Sequence, residues 1–148
     1  MNITKLVHVN INCSDFDRSL KFYELLGFQK AIAVPAQNTT EVAAAVGKPP
    51  YKVKGALLVL QNSKPPLVIE LHEWQEPIDN RPPYPNLYHL GIARIALASD
   101  DLDSDVKLLK SHGVEFLSEP AEVKLEGQPK TRFVCFKDPD GTVLELVE

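Results

Sequence analysis

Residues 5–13 alternate between apolar and polar side chains. Val7, Val9 and Ile11 share one side, and His8, Asn10 and Asn12 share the other. A period of two marks a strand with one buried and one polar face. Ser14 or Asp15 then supplies a helix cap. Phe16, Leu20, Tyr23 and Leu26 keep helical spacing up to Gly27, a residue suited to a C-terminal stop. Residues 28–34 read as a second strand. Residues 39–46 predict a short helix, closed by Gly47 and blocked by Pro49 and Pro50. Residues 55–60 and 67–74 predict two more strands, joined by a turn that contains Pro65 and Pro66.

A stretch at 75–88, with Pro77, Pro82, Pro83 and Pro85, reads as a linker. Beyond it the scheme returns. Residues 91–99 predict a strand, 102–112 a helix followed by Gly113, and 114–117, 131–137 and 143–147 three strands. Asp138-Pro-Asp-Gly141 is a turn by composition. At a constant offset His8 falls on Arg94, Asp15 on Asp101 and Gly27 on Gly113, and Val68-Ile-Glu70-Leu is matched by Val143-Leu-Glu145-Leu. Each unit therefore reads strand, helix, strand, strand, strand. The expectation is one domain over 1–148, with a first module at 1–74, a linker at 75–90 and a second module at 91–148. Two such modules can fold around a shared cleft on which the matched positions converge.

Composition narrows the function. The 148 residues are 44% hydrophobic, enough for a core. The net charge of −4 disfavours a nucleic-acid partner. No apolar run is long enough to span a membrane, and the first residues lack a signal-peptide pattern. A cytoplasmic protein with no nucleic-acid and no membrane partner is expected. Each module is small for burying apolar surface alone, so a homodimer is expected too. Cys13 and Cys135 show no metal-ligand spacing and read as small buried residues.

The candidate chemistry lies on the polar faces. His8, Glu70 and Glu145 occupy polar positions in otherwise apolar strands. His72 shares the face of Glu70, about 7 Å further along. It reads either as a ligand nitrogen or as a surface histidine near a strand end. Asn10 and Asn12 share the face of His8 and can hydrogen-bond a ligand. Arg94 has two readings: a structural ion pair with Glu70 or Glu145, or a fork that holds an anionic or carbonyl oxygen. Asp15, Asp17, Asp100, Asp101 and Asp103 suit helix caps and dipoles. His89 and His112 read as structural, and Trp74, Tyr84 and Tyr88 as a pocket mouth or subunit contact.

The run from His8 to Tyr23, Leu25-Leu-Gly-Phe28, the Glu70 strand and Phe136-Lys-Asp-Pro-Asp-Gly-Thr-Val-Leu-Glu145-Leu together resemble the vicinal oxygen chelate superfamily. That group includes glyoxalase I, fosfomycin-resistance enzymes, bleomycin-resistance proteins and extradiol dioxygenases. The resemblance implies an α/β (α+β) fold of paired βαβββ modules. A curved mixed sheet would surround a cleft, with helices on the outer face. It implies a small oxygen-rich or anionic ligand, with Glu70 or Glu145 moving a proton beside a carbonyl in lyase or isomerase fashion. It also implies a divalent metal (Zn, Ni, Mn or Fe) on His8, Glu70, Glu145 and a second histidine. Arg94 stands at that second position, and guanidinium has no free lone pair to offer. The alternatives are a non-catalytic protein that sequesters a compound and, ranked lower, an extradiol-type dioxygenase.

Overall fold

The structure is a computed structural model that describes residues 1–124 and 126–148. It is a mixed α+β fold with two four-stranded mixed sheets, and the chain divides into two compact units, Met1–Arg81 and Pro82–Glu148. The division falls inside the proline-rich stretch.

In the first unit the order is β1 (Val9–Cys13), α1 (Phe16–Leu25), β2 (Phe28–Val34), α2 (Thr40–Ala45), β3 (Lys52–Leu60) and β4 (Leu67–Glu76). The sheet runs β1-β4-β3-β2, with β1 parallel to β4 and the other pairs antiparallel. Asp15 caps α1 by accepting from Arg18 N at 3.0 Å, and Gly27 follows the helix at φ 91°, where only glycine is unstrained. The inward side of α1 buries Phe16, Phe22 and Tyr23. On the sheet, Ile11, Leu58, Ile69 and Leu71 complete the core, and Tyr23 is fully buried. Alternation then leaves the intervening residues of β1 and β4 on the opposite face.

The second unit repeats this with β5 (Ile95–Ala98), α3 (Leu102–Ser111), β6 (Ala121–Lys124), β7 (Lys130–Lys137) and β8 (Val143–Val147), in the order β5-β8-β7-β6. Asp101 caps α3 through Ser104 N at 3.0 Å. Leu102, Val106 and Leu109 are buried, as are Val134, Phe136, Leu144 and Leu146 of the sheet. Asp138 Oδ1 closes the predicted turn by accepting from Asp140 N and Thr142 N.

One strand differs from expectation. Residues 114–117 hold only an isolated bridge between Phe116 and Phe136, and the edge strand lies at Ala121–Lys124 instead. The Phe116 ring packs on Phe136, 5.5 Å between centroids, so its apolar character serves packing rather than a ladder. β1 and β5 are also shorter than their alternating patterns, beginning at Val9 and Ile95.

Candidate functional site

In the first unit the parallel register sets Asn10 opposite Glu70 and Asn12 opposite His72. Period two therefore puts His8, Asn10 and Asn12 on the same face as Glu70, His72 and Trp74. There the Glu70 carboxylate lies between two imidazoles. His8 Nε2 is 3.2 Å from Oε2, and His72 Nε2 is 3.3 Å from Oε1. The second contact is an ion pair without hydrogen-bond alignment, so His72 Nε2 is buried with no hydrogen-bond partner.

His72 is 8% exposed. Burial pushes its pKa below the usual histidine value, outweighing the opposing pull of the Glu70 charge. Asn10 Nδ2 donates to the backbone oxygen of Glu70 at 3.2 Å and lies 3.3 Å from His72 Nδ1. Across the sheet His72 faces Gly55. A Cβ at Gly55 would fall 2.5 Å from His72 Cδ2 and 2.7 Å from the Leu71 oxygen, so the missing side chain is what admits the ring. Further along the face, Trp74 Nε1–H donates to Asn12 Oδ1 at 2.9 Å, and the Tyr51 ring lies 4.5 Å from the Trp74 ring.

In the second unit Ala96 lies opposite Glu145, so Arg94, two residues earlier, shares the face of Glu145. Arg94 Nε forms an ion pair with Glu145 Oε2 at 2.5 Å. The Glu145 side chain is 10% exposed and that of Arg94 is 43% exposed, so the carboxylate is sheltered and the cation faces outward. Cys135, opposite Glu145 on β7, places Sγ 3.5 Å from the same oxygen. Burial, reinforced by the Glu145 contact, raises the Cys135 thiol pKa.

The predicted residues thus gather as two sets, one in each unit: His8, Asn10, Glu70 and His72, and Arg94 with Glu145. Asn12 is committed to Trp74. His89 stacks on Tyr84 at 4.8 Å, and His112 Nδ1 lies 3.0 Å from the Leu108 oxygen at the end of α3, both structural positions. In sequence, Cys135 reads only as a small buried residue and Gly55 only as part of a strand, neither as part of the site. The hairpin registers would have found both: Leu60 opposite Leu67 brings Gly55 opposite His72 five residues from the turn, and Lys137 opposite Val143 brings Cys135 opposite Glu145 two residues from it.

The residues present do not fit the divalent cation implied by the resemblance. Glu145 is engaged by a group that cannot ligate. The two imidazoles of the first unit meet opposite oxygens of Glu70 rather than a common point. Among the described residues no three His, Cys, Asp or Glu are arranged to hold a metal ion.

Comparison with known proteins agrees with the repeat and the topology. The glyoxalase/bleomycin resistance protein/dioxygenase superfamily matches residues 5–146, and the chain belongs to it. It is 29% identical to the Escherichia coli K12 protein YaeR, over 100% of this chain and 98% of the relative. It is 30% identical to YwkD of Bacillus subtilis 168, over 100% and 99%. Among solved structures it is similar to a glyoxalase family protein from Bacillus cereus, with TM-score 0.79 and 22% identity over 100% of this chain and 95% of that one. No helix among the described residues is long and apolar enough to cross a membrane.

Proposed function

We propose that the protein takes a small oxygen-rich or anionic molecule, as glyoxalase- and bleomycin-resistance-type proteins do. Arg94 supplies the positive charge that holds an oxygen of this ligand. The observation that carries the reading is the Arg94–Glu145 pair, with a sheltered acid and a cation open to solvent. Guanidinium offers a planar fork of donors, and one engaged edge leaves others for a carboxylate, phosphonate or carbonyl.

In the catalytic form of this reading, a glutamate, Glu70 or Glu145, accepts a proton from the carbon beside the ligand's carbonyl. The positive centre meanwhile steadies the oxygen that gains charge. His8, 3.2 Å from Glu70, orients that carboxylate. The second reading is sequestration without turnover, favoured by the guanidinium at a position where the family's metal chemistry needs a donor atom. The dioxygenase reading ranks below both, because a ferrous site of two histidines and a carboxylate has lost one histidine to Arg94. The working form is proposed as a cytoplasmic homodimer.

Calorimetric titration with phenylphosphonate, beside an assay of methylglyoxal–glutathione turnover, tests the reading. Binding by wild type that falls about tenfold in Arg94→Ala supports it. Turnover lost in Glu70→Gln or Glu145→Gln assigns the base, and binding without turnover selects sequestration. Failure of wild type to bind, or binding indifferent to Arg94→Ala, overturns it.

A further inference from the structure

The two units also differ at a matched cross-strand pair. Where the first sets His72 against Gly55, the second sets Val147 against Phe133. An imidazole and the gap that admits it thus occur together in one unit and are both missing from the other. The environment of His72 also fixes its chemistry. The backbone oxygen of Glu70 can only accept, so the contact with Asn10 Nδ2 orients that amide with its NH2 inward. The same NH2 then faces His72 Nδ1, which must accept. The ring proton is left on Nε2, the atom that is buried with no hydrogen-bond partner, its ion-pair contact with Glu70 Oε1 lying out of line. An unpaired buried donor costs stability unless something else accepts from it.

We propose that His72 is a specificity-determining hydrogen-bond donor, whose neutral imidazole gives Nε2–H to the carbonyl or enolate oxygen of a flat, conjugated ligand. Glu70 Oε1, 3.3 Å away and out of line, holds the place of that oxygen. The ligand displaces it while His8 keeps the other carboxylate oxygen. Beyond His72 on the same face, Trp74 has its N–H taken by Asn12 and offers ring surface beside Tyr51. Such a surface suits the flat part of the molecule. The inference rests on the small-ligand reading above and adds the ligand's shape and the atom that reads it.

The test uses benzohydroxamate, a planar mimic of an enediolate. Long-range 1H–15N correlation of the full chain should show His72 in the Nε2–H tautomer, with that nitrogen shifting on addition of the compound. Its dissociation constant should rise about tenfold in His72→Val and less in His72→Gln, which keeps a donor. Val147 shows that valine suits the matched strand position, and circular dichroism checks the fold of each variant. An Nδ1–H tautomer overturns the inference, as does benzohydroxamate binding unchanged in His72→Val. If phenylphosphonate binds through Arg94 but benzohydroxamate does not bind, the inference fails and the broader reading of function stands. If neither compound binds, both fail.

Discussion

Arg94 Nε meets Glu145 Oε2 at 2.5 Å, at the matched positions where the first unit sets His8 Nε2 3.2 Å from Glu70 Oε2. Each unit therefore couples a basic residue just before its first strand to a glutamate of its last. In the second unit the basic residue is a fixed cation set against a sheltered carboxylate.

That pairing should be visible in stability. Arg94→Ala leaves the Glu145 carboxylate without its partner. Because Arg94 is partly exposed and screened, the loss is about 1–2 kcal/mol by urea unfolding. Glu145→Gln on that background should recover part of it. A double-mutant cycle that shows additive effects would contradict the coupling.

Two of the helices, α1 and α3, begin on a glutamate, one from β4 and one from the residue just past β8. Glu73 Oε2 accepts from Phe16 N at 2.8 Å, and Glu148 Oε1 from Leu102 N at 3.1 Å. These carboxylates satisfy orphan amides and complement the helix dipole. Glu73→Ala and Glu148→Ala should each cost about 1 kcal/mol in chemical denaturation. Glu148→Ala carries an added loss from its 3.0 Å contact with Arg132.

The raised pKa of Cys135 predicts a slow thiol. At pH 8, iodoacetamide should label Cys135 far more slowly in the native protein than in urea, because less thiolate is present and the sulfur is buried. Peptide mass spectrometry measures both rates, and equal labelling would contradict the burial and the Glu145 contact.

Acid should weaken the second unit through Asp101 and Asp103. The amide and hydroxyl of Ser104 lower the Asp101 pKa, and the Arg132 guanidinium lowers that of Asp103. For acids with depressed folded values, the stabilisation is present above the ordinary value of 3.8 and disappears as pH falls through the folded pKa. Unfolding followed from pH 5 downward should show a shallower decline in Asp101→Asn/Asp103→Asn than in wild type. An identical decline would show that these groups do not contribute.

Much of this was legible in the chain. The strands Phe28–Val34 and Val143–Val147 fall where the pattern put them, and Asp15 and Asp101 cap as their positions suggested. The edge strand Ala121–Lys124 was not legible, because exposed Glu122 and Lys124 surround one half-buried valine and leave little apolar alternation. Glu73, within β4, and Glu148, just past β8, were not legible because a charge beside a helix start has meaning only once that helix start is in place. The Arg94 pair was one of two partners the sequence allowed, and the parallel register decides for Glu145. The orphaned nitrogen of His72 depends on Asn10 and Gly55, contacts that span the sheet and leave no local periodic signal.

We propose that at position 94 a guanidinium stands where the family's metal chemistry would take an imidazole. Calorimetric titration with Ni²⁺ of wild type against Arg94→His tests it most directly. Arg94→His should bind Ni²⁺ at least about tenfold more tightly, as a donor is added and a repelling charge removed. One equivalent of tightly bound Ni²⁺ in wild type, with no gain in the variant, would contradict it.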